Sequence, residues 1–147
     1  MPEPVVDLKP LGLLAEDADD LRVVAAALQD AVLKLGDIHW APATRQLTLA
    51  LNRYRWEGES RTSERVRAGL QLGSVLSVKA RKLKRDAPRA VVELLDVAFE
   101  PGEAPGGVIL LKFAGDADLR CEVECIDAVL TDVSAPWPAR GKPAHGD

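Results

Sequence analysis

Two cysteines, two histidines and a handful of carboxylates are the residues of this chain best suited to nucleophilic, redox or metal chemistry. Cys121-x-x-x-Cys125 has a spacing that suggests a thiol pair. The residues around it alternate, with Leu119, Cys121, Val123 and Cys125 on one side and Asp118, Arg120, Glu122 and Glu124 on the other. On such a strand the two cysteines face the same way but lie about 13 Å apart, four steps of roughly 3.3 Å. A disulfide needs Cα atoms within about 7 Å, and one zinc ion needs both sulfurs at about 2.3 Å. The strand reading therefore excludes both, and the pair reads as two small buried apolar residues. A helix beginning before Cys121 would bring them together, but the alternation argues against it. His39 sits beside Trp40 at a strand end, and His145 lies in the last three residues. Neither has a neighbouring pattern that marks a nucleophile system. Glu93 and Asp96 interrupt the apolar run Val91 to Phe99 and, by strict alternation, point to opposite faces. A buried carboxylate there would be a general acid; an exposed or base-paired one would be structural. No catalytic residue, metal set or cofactor is predicted.

The basic residues give the better candidate. Arg53, Arg55 and Trp56 close one alternating segment, Arg65 and Arg67 open the next, and Arg81 and Lys82 end a third, with Lys79, Lys84 and Arg85 nearby. If consecutive strands pair, Arg53, Arg55, Arg65 and Arg67 gather at one end of a sheet. Guanidinium groups offer bidentate donors to phosphate or carboxylate, and Tyr54 or Trp56 offers a ring to stack on. Arg53, Arg55, Trp56, Arg65, Arg67, Arg81 and Lys82 are thus the predicted anion- or partner-binding residues. Charge is unevenly laid out: residues 1–40, 41–90 and 91–147 carry −5, +8 and −7. A basic middle attracts an anion, or the acidic flanks neutralise it within the fold. The acidic pI of about 5.2 disfavours nucleic acid. Gly102 to Gly107 lacks the Lys-Ser/Thr ending of a phosphate loop and precedes a strand, so it reads as a hairpin turn.

These residues must be positioned by a chain of 147 residues with 47% hydrophobic and 29% charged content, enough for one domain with a real core. Leu21, Val24, Leu28 and Ala31 form one apolar stripe, and Asp17, Asp19 and Asp20 crowd its start, which predicts a helix over 17–31. Leu11 to Ala15 before it reads as a short strand. Val32 to Trp40 is a strand broken at Gly36, followed by a turn at Pro42 to Arg45. Gln46 to Trp56 alternates with leucines 47, 49 and 51 on one face; past Asn52 the arginines take over that face, which predicts a bulge or a strand leaving the core. Val66 to Leu72 and Leu76 to Arg81 alternate in turn, with Gly73-Ser74 between them as a hairpin turn. Val91 to Phe99, Val108 to Phe113 and Leu119 to Cys125 complete about seven strands. Ile126, Val129, Leu130 and Val133 fit a short C-terminal helix. Residues 1–134 form the domain and 135–147 a Pro/Gly-rich tail, whose prolines pin Trp137 to the domain or present it to a partner.

The expected fold is therefore α+β and β-rich, with about seven antiparallel strands in a curved sheet or partly open barrel and a helix at each end. In topology alone this is similar to the pleckstrin-homology-like barrel. In sequence, Ala26 to Val32, Leu51 to Trp56, Phe99 to Gly107 and Glu122 to Asp127 resemble a family of short proteobacterial proteins of unknown function, across about residues 11–138. That resemblance implies a bacterial, cytoplasmic, single-domain protein and transfers no site. The amino end lacks the basic and apolar regions of a signal peptide, and no run approaches about 20 apolar residues, so a cytoplasmic protein outside the membrane is expected. Without a catalytic motif, the expected function is a non-catalytic protein-interaction module, binding a partner or itself. The alternatives are an anion binder using the arginine set, for nucleic acid or a phosphorylated small molecule, and an enzyme with a site no motif reveals.

Overall fold

Asp17 opens the helix as expected. Its carboxylate accepts a hydrogen bond from the Asp20 backbone N–H at 2.8 Å, capping α1 (Ala18–Leu28). The stripe of Leu21, Val24 and Leu28 is buried. The helix ends three residues before the sequence pattern does, because Asp30 adopts a left-handed φ of 64° and turns the chain into a strand at Ala31. The structure, a computed structural model, describes residues 11–56, 64–84 and 86–138. Arg85, His145, the loop Gly58 to Ser63 and the tail beyond 138 lie outside the described residues.

Among the described residues, eleven strands form one antiparallel sheet. They are β1 (Gly12–Ala15), β2 (Ala31–Lys34), β3 (Ile38–Ala41), β4 (Gln46–Tyr54), β5 (Glu64–Leu72), β6 (Val75–Arg81), β7 (Val91–Pro101), β8 (Gly107–Phe113), β9 (Ala117–Val123), β10 (Ala128–Asp132) and β11 (Trp137–Pro138). Their order is β1-β10-β5-β4-β2-β7-β8-β9-β6. β3 joins β4 beside β2, and β11 joins β5 beside β10. Leu47, Leu49, Leu51, Leu70, Leu72, Leu94, Ile109, Leu111 and Phe113 meet α1's stripe in one core. Each fully buried leucine adds about 2 kcal/mol of transfer free energy.

Four expectations are corrected. Among the described residues the strands number eleven, not about seven, because the break at 35–37 divides one expected strand into β2 and β3, and β10 and β11 stand where a helix and a tail were expected. The C-terminal helix is strand β10: Ala128, Leu130 and Asp132 are buried and pair with Leu72, Leu70 and Ala68. Its apolar spacing fits both periods, and pairing with β5 decided between them. The C-terminal helix that suggested the pleckstrin-homology-like topology is thus absent, and the sheet does not close. Gly73-Ser74 is a turn, with Ser74 at φ 55°, but it makes no hairpin. β6 leaves β5 and pairs with β9 instead. Finally, β4 has no bulge at Asn52. Its register with β5 is unbroken from Leu47↔Leu72 to Tyr54↔Arg65, so Arg53 continues the leucine face into the interior.

Candidate functional site

The β4–β5 pairing does bring the four predicted arginines to one end of a hairpin, and the register then separates them. Residues directly opposite share a face. Arg67 lies opposite Asn52 and Arg65 opposite Tyr54, whereas Arg53 lies opposite Val66 on the core face. Arg53 and Arg55 are inside the fold, not on a surface that an anion could reach; Arg53 is fully buried and Arg55 is 5% exposed.

Arg53 is held by a residue two strands away. Its Nε and Nη2 donate to Asp132 Oδ1 and Oδ2, both at 2.8 Å, in a bidentate fork. Asp132 Oδ2 also accepts the Leu11 backbone N–H at 2.8 Å. Small Ala68, paired with both Leu51 and Asp132, stands between the two strands. Arg55 donates to Glu64 at 3.0 Å. Arg67 donates to Asn52 Oδ1 at 3.2 Å and to Asp37 at 3.1 Å, and Arg65 to the Asn52 carbonyl at 3.4 Å. Trp56 meets Tyr54 edge-on, with centroids 4.5 Å apart, and its Nε1 donates to the Gln29 carbonyl at 3.2 Å. Arg81 and Lys82 form a separate exposed cluster with Asp116 and Asp118 across β6 and β9. Hydrogen bonds from Arg81 and then Lys82 hold the Asp116 carboxyl well below the usual carboxylate range, and those to Asp116 and Asp118 raise Arg81. Five of the seven predicted residues therefore already face a carboxylate. Sequence reasoning missed Asp132, Glu64 and Asp37 as partners. The acidic flanks were the signal, but pairing depends on strand order.

The cysteines part company. Cys121 is buried on β9, and burial pushes its thiol up to about 12. β9 ends at Val123, so Cys125 falls in the following bend and is only partly buried, not inward-facing on the same strand. Neither is in a disulfide. The β7 register shifts between Leu94 and Asp96. This bulge cancels the expected opposition of Glu93 and Asp96: with one residue inserted, both lie on the face away from Leu94. His39 is exposed on β3. Among the described residues, no group of three or more His, Cys, Asp or Glu is placed to hold a metal ion.

The curl of the sheet makes a cavity that no local pattern predicted. β3 pairs with β4, β6 with β9, and no register links β3 to β6. Between them lies a slot of about 360 Å3 lined by Ile38 and Trp40 from β3 and by Val78 and Ala80 from β6, with Leu47 and Leu119 also in its wall. Both ends are tied. Leu35 N donates to Ala90 O at 2.9 Å and Gly36 N to Pro88 O at 2.8 Å; at the other end Val75 N donates to Arg45 O at 2.9 Å. A Cβ on Gly36 would stand 3.0 Å from Pro88 O, so glycine permits this close approach. A larger groove of about 660 Å3 separates α1 from β7 and contains both Arg22 and Asp96.

Among the described residues, these features define an open, antiparallel, β-rich domain with one α-helix, internally paired basic residues and an apolar slot. A family model described as a protein of unknown function, DUF2948, matches residues 11–145. The chain belongs to that family. No curated protein and no solved structure matches it. No helix is long and apolar enough to cross a membrane among the described residues.

Proposed function

We propose that the domain is a non-catalytic protein-interaction module that recognises an extended partner segment along the edge of β1. One observation carries this reading. Among the described residues β1 is bonded only to β10, while Leu14 on β1 is 68% exposed and Val133, just past the end of β10, is 65% exposed. An edge strand offers a row of backbone donors and acceptors, and apolar side chains beside it supply area for a partner. The alternative, an anion site on the arginine set, has less support because those side chains are largely engaged by carboxylates.

The test is capture of tagged protein from its host lysate, with nuclease, at low and high salt, using wild type and Leu14→Lys/Val133→Lys. A protein partner retained at high salt by the wild type and lost by the folded variant is the expected result. Equal recovery by the variant overturns the edge. Nucleic acid released by salt would instead favour the arginine set.

A further inference from the structure

We propose that the slot between β3 and β6 is a binding site for a small amphiphilic anion: an apolar chain or ring bearing one carboxylate. This goes beyond the interaction reading and does not depend on it. The wall residues Ile38, Trp40, Val78, Ala80 and Leu83 offer an apolar bed, and among the described residues Lys84 is the one charged residue of the lining. A cavity of about 360 Å3 lies within the range of small-molecule sites, which are mostly apolar with few polar groups to fix orientation. Lys84 is exposed and makes no ion pair among the described residues, so its ammonium is available to a carboxylate entering from solvent. The basic members of the neighbouring surface, Arg81 and Lys82, are by contrast neutralised by Asp116 and Asp118. Among the described residues of the lining, the site therefore meets charge at one point, Lys84.

The tied ends decide between a small molecule and a peptide. A strand inserted between β3 and β6 would run out past both ends of the slot. The Val75–Arg45 bond bars one end, and the Leu35–Ala90 and Gly36–Pro88 bonds bar the other. The open middle admits a compact ligand and excludes a through-running chain. Those same bonds hold the slot in shape before ligand arrives, so little ordering cost opposes binding.

Trp40 lies in the wall and reports on the slot. In a Trp56→Phe/Trp137→Phe background it is the sole tryptophan of the chain. Its emission is followed while hexanoate, octanoate and decanoate are added, with decanol and decylammonium as controls. The expected result is a saturable change whose midpoint tightens about four-fold per methylene until the slot is full. Lys84→Glu should weaken decanoate roughly five-fold or more, and Ala80→Phe should abolish the response. Should Ala80→Phe fail to fold, Leu83→Asp on the adjoining loop puts polarity and like charge in the slot and should also abolish it. The proposal is overturned by any of three results: no saturable change, decanol or decylammonium binding as tightly as decanoate, or decanoate binding unaltered in the folded slot variants.

Discussion

Replacing Asp132 with Leu should be among the most damaging single changes in this protein, and a second replacement should repair most of the damage. The side chains of Arg53 and Asp132 are 0% and 2% exposed. Removing the carboxylate breaks the bidentate fork on a buried guanidinium, and breaking a buried pair from one side costs about 3–5 kcal/mol. The Leu11 N–H also loses its 2.8 Å acceptor, adding about 1 kcal/mol. The sum, about 4–6 kcal/mol, is comparable to the whole stability of many domains. In Arg53→Met/Asp132→Leu both members of the fork are apolar, and well-packed apolar residues replace such pairs at little net cost. The double variant should therefore lie within about 2 kcal/mol of wild type. Urea unfolding followed by tryptophan emission measures this. With an m-value of about 2 kcal/mol per molar, the single variant's midpoint should fall by about 2–3 M. If Asp132→Leu does not fold, Asp132→Asn keeps the shape, loses the charge, and should show the same direction. A single-variant loss under about 1 kcal/mol, or a double variant whose cost equals the sum of the singles, would refute the buried fork as the link between β4 and β10.

Three further outcomes are expected. The Cys121 thiol has a folded pKa of about 12 against an ordinary value of 9.0, so its contribution to stability is complete below pH 9 and is lost as pH rises towards 12; wild type should lose more stability than Cys121→Ala over that interval, and parallel pH curves would contradict the burial. Cys125, partly buried beyond the end of β9, should react with a thiol reagent well before Cys121 in the native protein, which mass spectrometry of timed samples reads directly; equal rates would place both in one environment. The Asp116 carboxyl is held low by Arg81 and then Lys82, so its carbon resonance should stay that of the ionised form below the usual carboxylate range and return towards an ordinary midpoint near 3.8 in Arg81→Met; an unchanged midpoint would show that the pair is absent in solution.

The legible parts of this chain were those fixed by neighbours in sequence. Asp17 and the Leu21-Val24-Leu28 stripe announce α1, because a cap and a 3.6-residue period are local. The leucines at 47, 49 and 51 announce β4 in the same way. Ambiguity began where two periods fit one segment. Ile126 to Val133 reads as a helix until β5 offers Ala68, Leu70 and Leu72 as partners. Gly73-Ser74 reads as a hairpin, since a turn does not say with whom the next strand pairs. The bulge beside Leu95 moved Asp96 to the side of Glu93, and alternation carries no sign of an inserted residue that its partner strand leaves unpaired.

The candidate site shows the same division. Local sequence determined that arginines cluster around the β4–β5 turn, that the chain has acidic residues to meet them, and that no familiar catalytic pattern is present. It also determined family membership, through segments spread from end to end. Only the tertiary structure decided where each arginine sits and what it pairs with. Register set Arg53 on the core face and Arg67 on the other, and strand order carried Asp132 to within 2.8 Å of Arg53 across 79 residues of chain. The slot between β3 and β6 belongs wholly to tertiary structure: its walls are ordinary alternating strands, and only the curl that ties their ends makes a cavity of them. Side-chain period is a property of a few residues, whereas pairing is a choice among distant strands settled by the burial of the whole sheet.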